Sequence, residues 1–212
     1  MMDMATAYPL SNFVGIDIAD DTFPQIIRPA NTEFVQENVL NGLPFEDASF
    51  DYVFMRFMAL AFVKEDWARV VAELCRVVRP GGFIEMVELD MEGKRPGPES
   101  KNMFTRLSKG LQARGVDPVI ARRIDKLLIS AELMDVNKGF GSIPVHWGGK
   151  LGEAMADDVR CAMKGLMRFY TTTLHYTVEQ VEMMMVQTER ESVEHRTYLN
   201  FHYAFGQRPL GG

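Results

Sequence analysis

Cysteine, histidine and basic residues are all scarce in this chain of 212 residues. It has two cysteines and four histidines, and 23 lysines and arginines stand against 29 aspartates and glutamates. Cys75 and Cys161, far apart, exclude a disulfide-stapled scaffold and read as buried thiols in a reducing, cytoplasmic compartment. His146, His175, His195 and His202 are dispersed, and their spacing matches no metal-ligand set, so no metal is expected. A net charge of −6 gives no general attraction to phosphate backbones or anionic lipid, which argues against a nucleic-acid binder. No apolar run approaches the roughly 20 residues that span a bilayer, so no membrane partner is expected. The opening Met1-Met2-Asp3-Met4 lacks the basic and apolar regions of a signal peptide.

What is present can build a core. Hydrophobic residues make up 47% of the chain and aromatics 10%, which excludes disorder and suits one domain over residues 1–212.

The first half alternates strand and helix patterns, as in βαβ units with a parallel sheet. Phe13 to Ile18 is a short apolar run containing Asp17, and Glu33 to Val39 is a weaker second strand. Phe50 to Arg56 is a third, entered from the turn-rich stretch Pro44 to Ser49. From Glu65 to Val78, Trp67, Val70, Val71, Leu74, Val77 and Val78 follow a helical stripe. Pro80-Gly81-Gly82 stops that helix, and Phe83 to Leu89 resumes as a strand. A Pro/Gly-rich break at 94–97 leads into two helical segments separated at Gly115. The second has Asp117 as its N-cap and Pro118 at its first position. Its neighbourhood is the most basic of the chain and reads as a solvated helix face. Further helices are expected over 151–172 and 178–195, then a final strand from Tyr198 to Gly206. Met183, Met184 and Met185 in the last helix suit irregular core gaps or an adaptable pocket wall.

Ligands in open α/β sheets bind beyond the carboxyl ends of the strands. Asp17 stands there, where a carboxylate accepts both hydroxyls of a ribose; capping the following helix, in competition with Asp20 and Asp21, is the other use. Asn38 and Val39 end the next strand, where a side-chain amide beside a backbone N–H matches an adenine edge. Asn is equally a turn residue. Asp51 lies at the wrong end of its strand and reads as structural. Glu85 and Glu88 point to opposite faces, and Glu88, nearer the carboxyl end, is the candidate for substrate contact.

Three stretches in order carry a resemblance: Phe-Val-Gly-Ile-Asp-Ile, then Asn-Val-Leu-Asn-Gly-Leu-Pro-Phe-Glu-Asp-Ala-Ser-Phe-Asp-Tyr-Val, then Glu-Leu-Cys-Arg-Val-Val-Arg-Pro-Gly-Gly-Phe. Over residues 5 to 90 the chain resembles class I S-adenosylmethionine-dependent methyltransferases. The resemblance implies a Rossmann-like sheet, mostly parallel with an antiparallel last strand, and S-adenosylmethionine as cofactor. It implies that Asp17, with Ile18, holds the ribose, that Asn38 and the Val39 amide meet the adenine, and that Met55 and Arg56 line the cleft beside the methionine moiety. Residues 95–195 become a helical insertion or lid over the site. The methyl acceptor is expected to be a small molecule in preference to protein or nucleic acid.

One departure stands out. The family opens with a strand and a glycine-rich loop, yet no glycine precedes Gly15, and Asp3 to Pro9 resembles the end of the helix after that loop. The expectation is an N-terminally shortened methyltransferase, lacking the first strand, with impaired cofactor binding. Two facing strand edges would be left open to self-association. A methyltransferase-like interaction module without catalysis, or a nicotinamide-dependent dehydrogenase using the same Asp, are the alternatives.

Overall fold

In a computed structural model, which describes residues 1–24 and 27–210, the first half alternates as its sequence pattern requires. Helix α1 (Met2–Ala7) precedes strands β1 (Phe13–Asp17), β2 (Thr32–Gln36) and β3 (Phe50–Arg56), then helix α2 (Asp66–Val77) and strand β4 (Val78–Lys94). After β4 come α3 (Pro98–Ala113), α4 (Ile124–Ser130), β5 (Met134–Pro144), α5 (Lys150–Gly165), α6 (Met167–Thr172), α7 (Val178–Glu194) and β6 (Tyr198–Gln207).

The strands form two sheets. β1 and β2 pair in parallel, with Asp17 opposite Gln36. The larger sheet has the order β3-β4-β6-β5. β3 is parallel to β4, and β6 runs antiparallel to both β4 and β5. The sheet is therefore mostly parallel with an antiparallel last strand, as expected. Among the described residues β1 pairs only with β2, and β3 only with β4. Among the described residues no ladder links the two sheets.

One core joins the two sheets. α2 buries Trp67, Val70, Val71, Leu74 and Val77 against Ile84 and Met86 of β4 and Ala204 of β6, with Ile124 and Leu128 of α4 alongside. Each such side chain contributes roughly 1.5–3 kcal/mol on burial. Ile16 of β1 and Val39 and Leu40 beyond β2 pack on the same cluster. The ribbon of β1 and β2 is thus held to the body by apolar contact. The opposite sheet face is open: Tyr52 and Phe54 of β3, Phe83 of β4 and Tyr203 of β6 are all exposed. Tyr52 and Phe54 stack with centroids 6.5 Å apart, and the Tyr52 hydroxyl donates to Glu85 at 2.6 Å.

The turn from α2 into β4 depends on its glycines. Gly81 has φ +77°, and a Cβ on Gly82 would lie 2.7 Å from the Asp51 carbonyl oxygen. Asp51 itself is an exposed partner of Arg79, which fits its structural reading.

Four expectations need correction. Residues 95–195 are not wholly helical, because β5 lies within them. Gly139, Gly141 and Pro144 hide that strand from the sequence pattern; its pairing with β6 and the seat of the Tyr203 ring over Gly139 support it. The helix expected at Pro118 begins later, with a tight turn at Ile120 and α4 at Ile124. Asp117 instead accepts from the Val119 amide at 3.1 Å and pairs with Arg123, a local bond that competes with helix initiation. The helix read over 151–172 breaks at Leu166 into α5 and α6. Finally, both thiols are free, but Cys161 is exposed and Cys75 only half-buried.

Candidate functional site

Asp17 and Asn38 lie at the same end of the β1–β2 ribbon. They stand at the carboxyl ends of adjacent parallel strands, where the Glu37 amide donates to the Asp17 carbonyl at 3.0 Å and the Gln36 side chain donates to the Ile18 carbonyl at 3.1 Å. One Asp17 carboxylate oxygen accepts from the Ala19 amide at 3.0 Å. That bond fixes the side chain and leaves acceptor capacity on both oxygens. The Asn38 side-chain oxygen Oδ1 accepts from the Leu40 amide at 3.0 Å, capping a tight turn over Val39–Asn41, and keeps a second lone pair. Ile18 is exposed, and Val39 packs on the main core. Met55 also turns into the core, leaving Arg56 exposed at the end of β3 with its guanidinium 5.3 Å from the Phe57 ring.

Glu88 is fully buried, and its two carboxylate oxygens accept from the Met58 amide at 2.7 Å and the Ala59 amide at 3.1 Å. Burial pushes this carboxyl up to about 7, with the two amides opposing. It ties down the turn that leaves β3. At the start of that turn Phe57 has φ 60°, a strained conformation for an aromatic residue and one that clusters at ligand-binding positions. Its amide still donates to Val87 at 3.0 Å, and its ring meets Phe201 at 5.9 Å. Sequence pattern carries no signal for this residue, because a turn held by the Met58 bond to Glu88 across 30 positions is not a local property.

Phe57 and Leu60 form one end of a cavity of about 1170 Å³. Its remaining walls are the carboxyl-terminal half of β4, the start of β6 and the helices α3, α5, α6 and α7. A second buried carboxylate closes this assembly. Glu191 of α7 accepts from the Glu99 and Ser100 amides at 3.0 and 2.8 Å, fastening the start of α3 to α7. Beside the cavity Asp90, also fully buried, is gripped by Arg122 at 2.8 and 3.0 Å and by Lys94 at 3.0 Å.

The family named "Methyltransferase domain" matches residues 2–86, the segment that builds β1 to β4 and the strand ends just described. Residues 2–86 therefore resemble a methyltransferase domain. It is 29% identical to methyltransferase str3 of Strobilurus tenacellus over 147 residues, 67% of this chain and 52% of that protein. It is 36% identical to N-methyltransferase verN of Clonostachys rogersoniana over 104 residues, 48% of this chain and 36% of that one. The chain thus spans about half or less of the length of these relatives. Among solved structures it resembles a SAM-dependent methyltransferase of Methanosarcina mazei, with 15% identity, TM-score 0.54, and coverage of 99% of this chain and 87% of that one. It also resembles phosphoethanolamine N-methyltransferase 2 of Haemonchus contortus in complex with phosphomonomethylethanolamine and S-adenosylhomocysteine, at 12% identity and TM-score 0.54, covering 98% of this chain and 46% of that one. At such identities the likeness concerns the fold.

The cofactor of this domain class is S-adenosylmethionine. The side chains present fit its nucleoside half: a pinned carboxylate and a side-chain amide, one strand apart, with acceptor capacity remaining. For the methionine half the described residues offer the end of β3, with Arg56, and no glycine-rich loop.

Proposed function

We propose that this chain is an S-adenosylmethionine-dependent methyltransferase acting on a small molecule. The observation that carries the reading is the convergence of Asp17 and Asn38 at one end of a parallel ribbon that shares its core with β3, whose own end opens on a large cavity. When bound, S-adenosylmethionine supplies an electrophilic methyl group on a sulfonium, whose carbon–sulfur electron pair leaves with sulfur. Asp17 accepts from the ribose hydroxyls, and Asn38 with the Val39 amide receives the adenine edge. Glu88 holds the turn that sets Phe57 between cleft and cavity, and the cavity walls exclude water from the acceptor. Displacement of this kind depends on in-line positioning in a dry site more than on an acid or base. No side chain is therefore assigned proton transfer, and Glu88 acts as a positioning residue.

Isothermal titration with S-adenosylmethionine and S-adenosylhomocysteine tests the reading. Saturable micromolar binding, weakened at least about tenfold in Asp17→Ala, is expected from loss of charge-assisted bonds of roughly 1.5–3 kcal/mol. Flat traces from folded protein would favour an interaction module without catalysis.

The interrupted ladder supports two subsidiary readings. Cofactor binding is weaker than in a relative whose sheet is continuous, because among the described residues no strand pairs with the free edges of β1 and β3. The two open edges also invite self-association, since unpaired strand edges accept further strands. Sedimentation velocity over a hundredfold concentration range tests this, and a single concentration-independent monomer would refute it. Free thiols are consistent with a cytoplasmic setting.

A further inference from the structure

We propose that the cavity lined by α3, α5, α6 and α7 is the acceptor site for an apolar, ring-bearing small molecule that presents one hydrogen-bond acceptor to the Tyr170 hydroxyl. The inference names the substrate class of the methyltransferase reading and rests on it for the chemistry, though not for the binding.

Size is the first argument. At about 1170 Å³ the space lies just above the roughly 300–1,000 Å³ of drug-sized ligand pockets, far more than a phosphorylated ethanolamine fills. Its lining is the second. Phe104, Met103, Met155, Met163, Met185 and Phe201 all face it, and thioethers and rings from four separate elements make walls that suit a flat apolar body and adjust to its outline. Of the charged residues lining it, Arg95, Lys101 and Lys109 are exposed with no ion-pair partner among the described residues, while others are committed elsewhere. Arg160 pairs with Glu189 at 2.7 Å and with Asp157 at 2.5 Å, and Lys94 pairs with Asp90 at 3.0 Å.

Tyr170 is the third argument. It lines the cavity and is 1% exposed, yet among the described residues nothing hydrogen-bonds its hydroxyl. Burial pushes the phenol up to about 12, so it stays neutral and able to donate. Among the described residues the buried side-chain polar atom without a partner is the Trp67 indole nitrogen, so the Tyr170 hydroxyl is open to the cavity, where a ligand carbonyl, ring nitrogen or ether oxygen can accept its hydrogen bond. The polar group is thereby held at a fixed place in an apolar chamber. Phe57 and Leu60 stand at the end nearest the β3 terminus, where the acceptor atom meets the cleft.

Two neutral fluorescent probes test this on the full chain without cofactor: 6-propionyl-2-(dimethylamino)naphthalene, which carries a carbonyl, and N-phenyl-1-naphthylamine, which does not. Both are expected to bind once per chain. Tyr170→Phe weakens the carbonyl probe about 3- to 10-fold, the worth of one hydrogen bond, and changes the other by less than about twofold. Met163→Trp, which fills the chamber, weakens both at least about tenfold, with circular dichroism and urea midpoint reporting that each variant is folded. Phe54→Asp on the open sheet face leaves both unchanged. The proposal is overturned by an absence of saturable binding, by equal shifts for the two probes in Tyr170→Phe, or by sensitivity to Phe54→Asp with indifference to Met163→Trp. Preference for the sulfonated probe 8-anilinonaphthalene-1-sulfonate with no binding of the neutral pair overturns it as well. Failure here alongside S-adenosylmethionine binding spares the methyltransferase reading, and probe binding with flat cofactor traces does the reverse.

Discussion

Raising the pH from 5 to 8 should strip about 2–3 kcal/mol from the stability of this protein through Glu88 alone. The carboxyl has an ordinary value of 4.5 and sits at about 7 in the fold, where burial outweighs the bonds from the Met58 and Ala59 amides. A raised acid binds more protons folded than unfolded between those values, so its contribution is complete below about 4.5 and is lost as pH climbs through about 7. At 1.36 kcal/mol per pH unit, most of the interval between the two values falls inside the pH 5 to 8 window. His202 works in the opposite sense: burial and the nearby cations depress it, so its contribution grows with pH. Comparison with Glu88→Gln removes that background. The glutamine keeps an oxygen for one amide and turns a donor toward the other, so the variant is less stable at pH 5. Its deficit should shrink by about 2–3 kcal/mol at pH 8. Urea unfolding of both proteins at pH 5, 6, 7 and 8 measures the difference. Parallel profiles, within about 0.5 kcal/mol across the range, would show that the carboxyl is ionised throughout and that its burial has been misjudged.

Other perturbations have calculable signs. Arg122→Ala leaves the buried Asp90 carboxylate with Lys94 as its main remaining ion-pair partner and should cost about 2–3 kcal/mol in urea unfolding, since removing one member of a buried pair strands the other. Gly152→Ala would set a Cβ 1.6 Å from the Trp147 carbonyl oxygen; about 3 kcal/mol of overpacking is expected, read as a lowered thermal midpoint and altered tryptophan fluorescence. Trp67→Phe should cost less than about 2 kcal/mol, because the indole nitrogen is buried without a partner among the described residues and its removal offsets part of the lost packing. A larger loss would reveal an unseen bond to that nitrogen.

The legible parts of the fold share a cause. β1, β3, α2 and β6 declare themselves because each keeps one face in the core and shows the period of its own geometry. Asp17 and Asn38 could be paired from sequence because parallel strands put their carboxyl ends on one side whatever the side chains do. β5 could not be read, since it is an exposed edge carrying two glycines and takes its order from β6, which lies more than fifty residues later. The cavity was equally hidden: Phe57, Met103, Met163 and Phe201 approach it along separate elements, and no window of sequence contains them together. Glu88 was singled out as near the chemistry. Its bonds to two backbone amides give it a duty that composition and position do not specify.

The ribbon of β1 and β2 rests on a single five-residue ladder and a few apolar side chains. A two-stranded piece of that size opens at a fraction of the free energy that unfolds the body. Amide hydrogens in β1 should therefore exchange well before those of β4, and proteases should nick the segment between the two strands first. A ligand reaching from Asp17 to Arg56 would act as a rivet across the break, so occupancy and local order become one equilibrium.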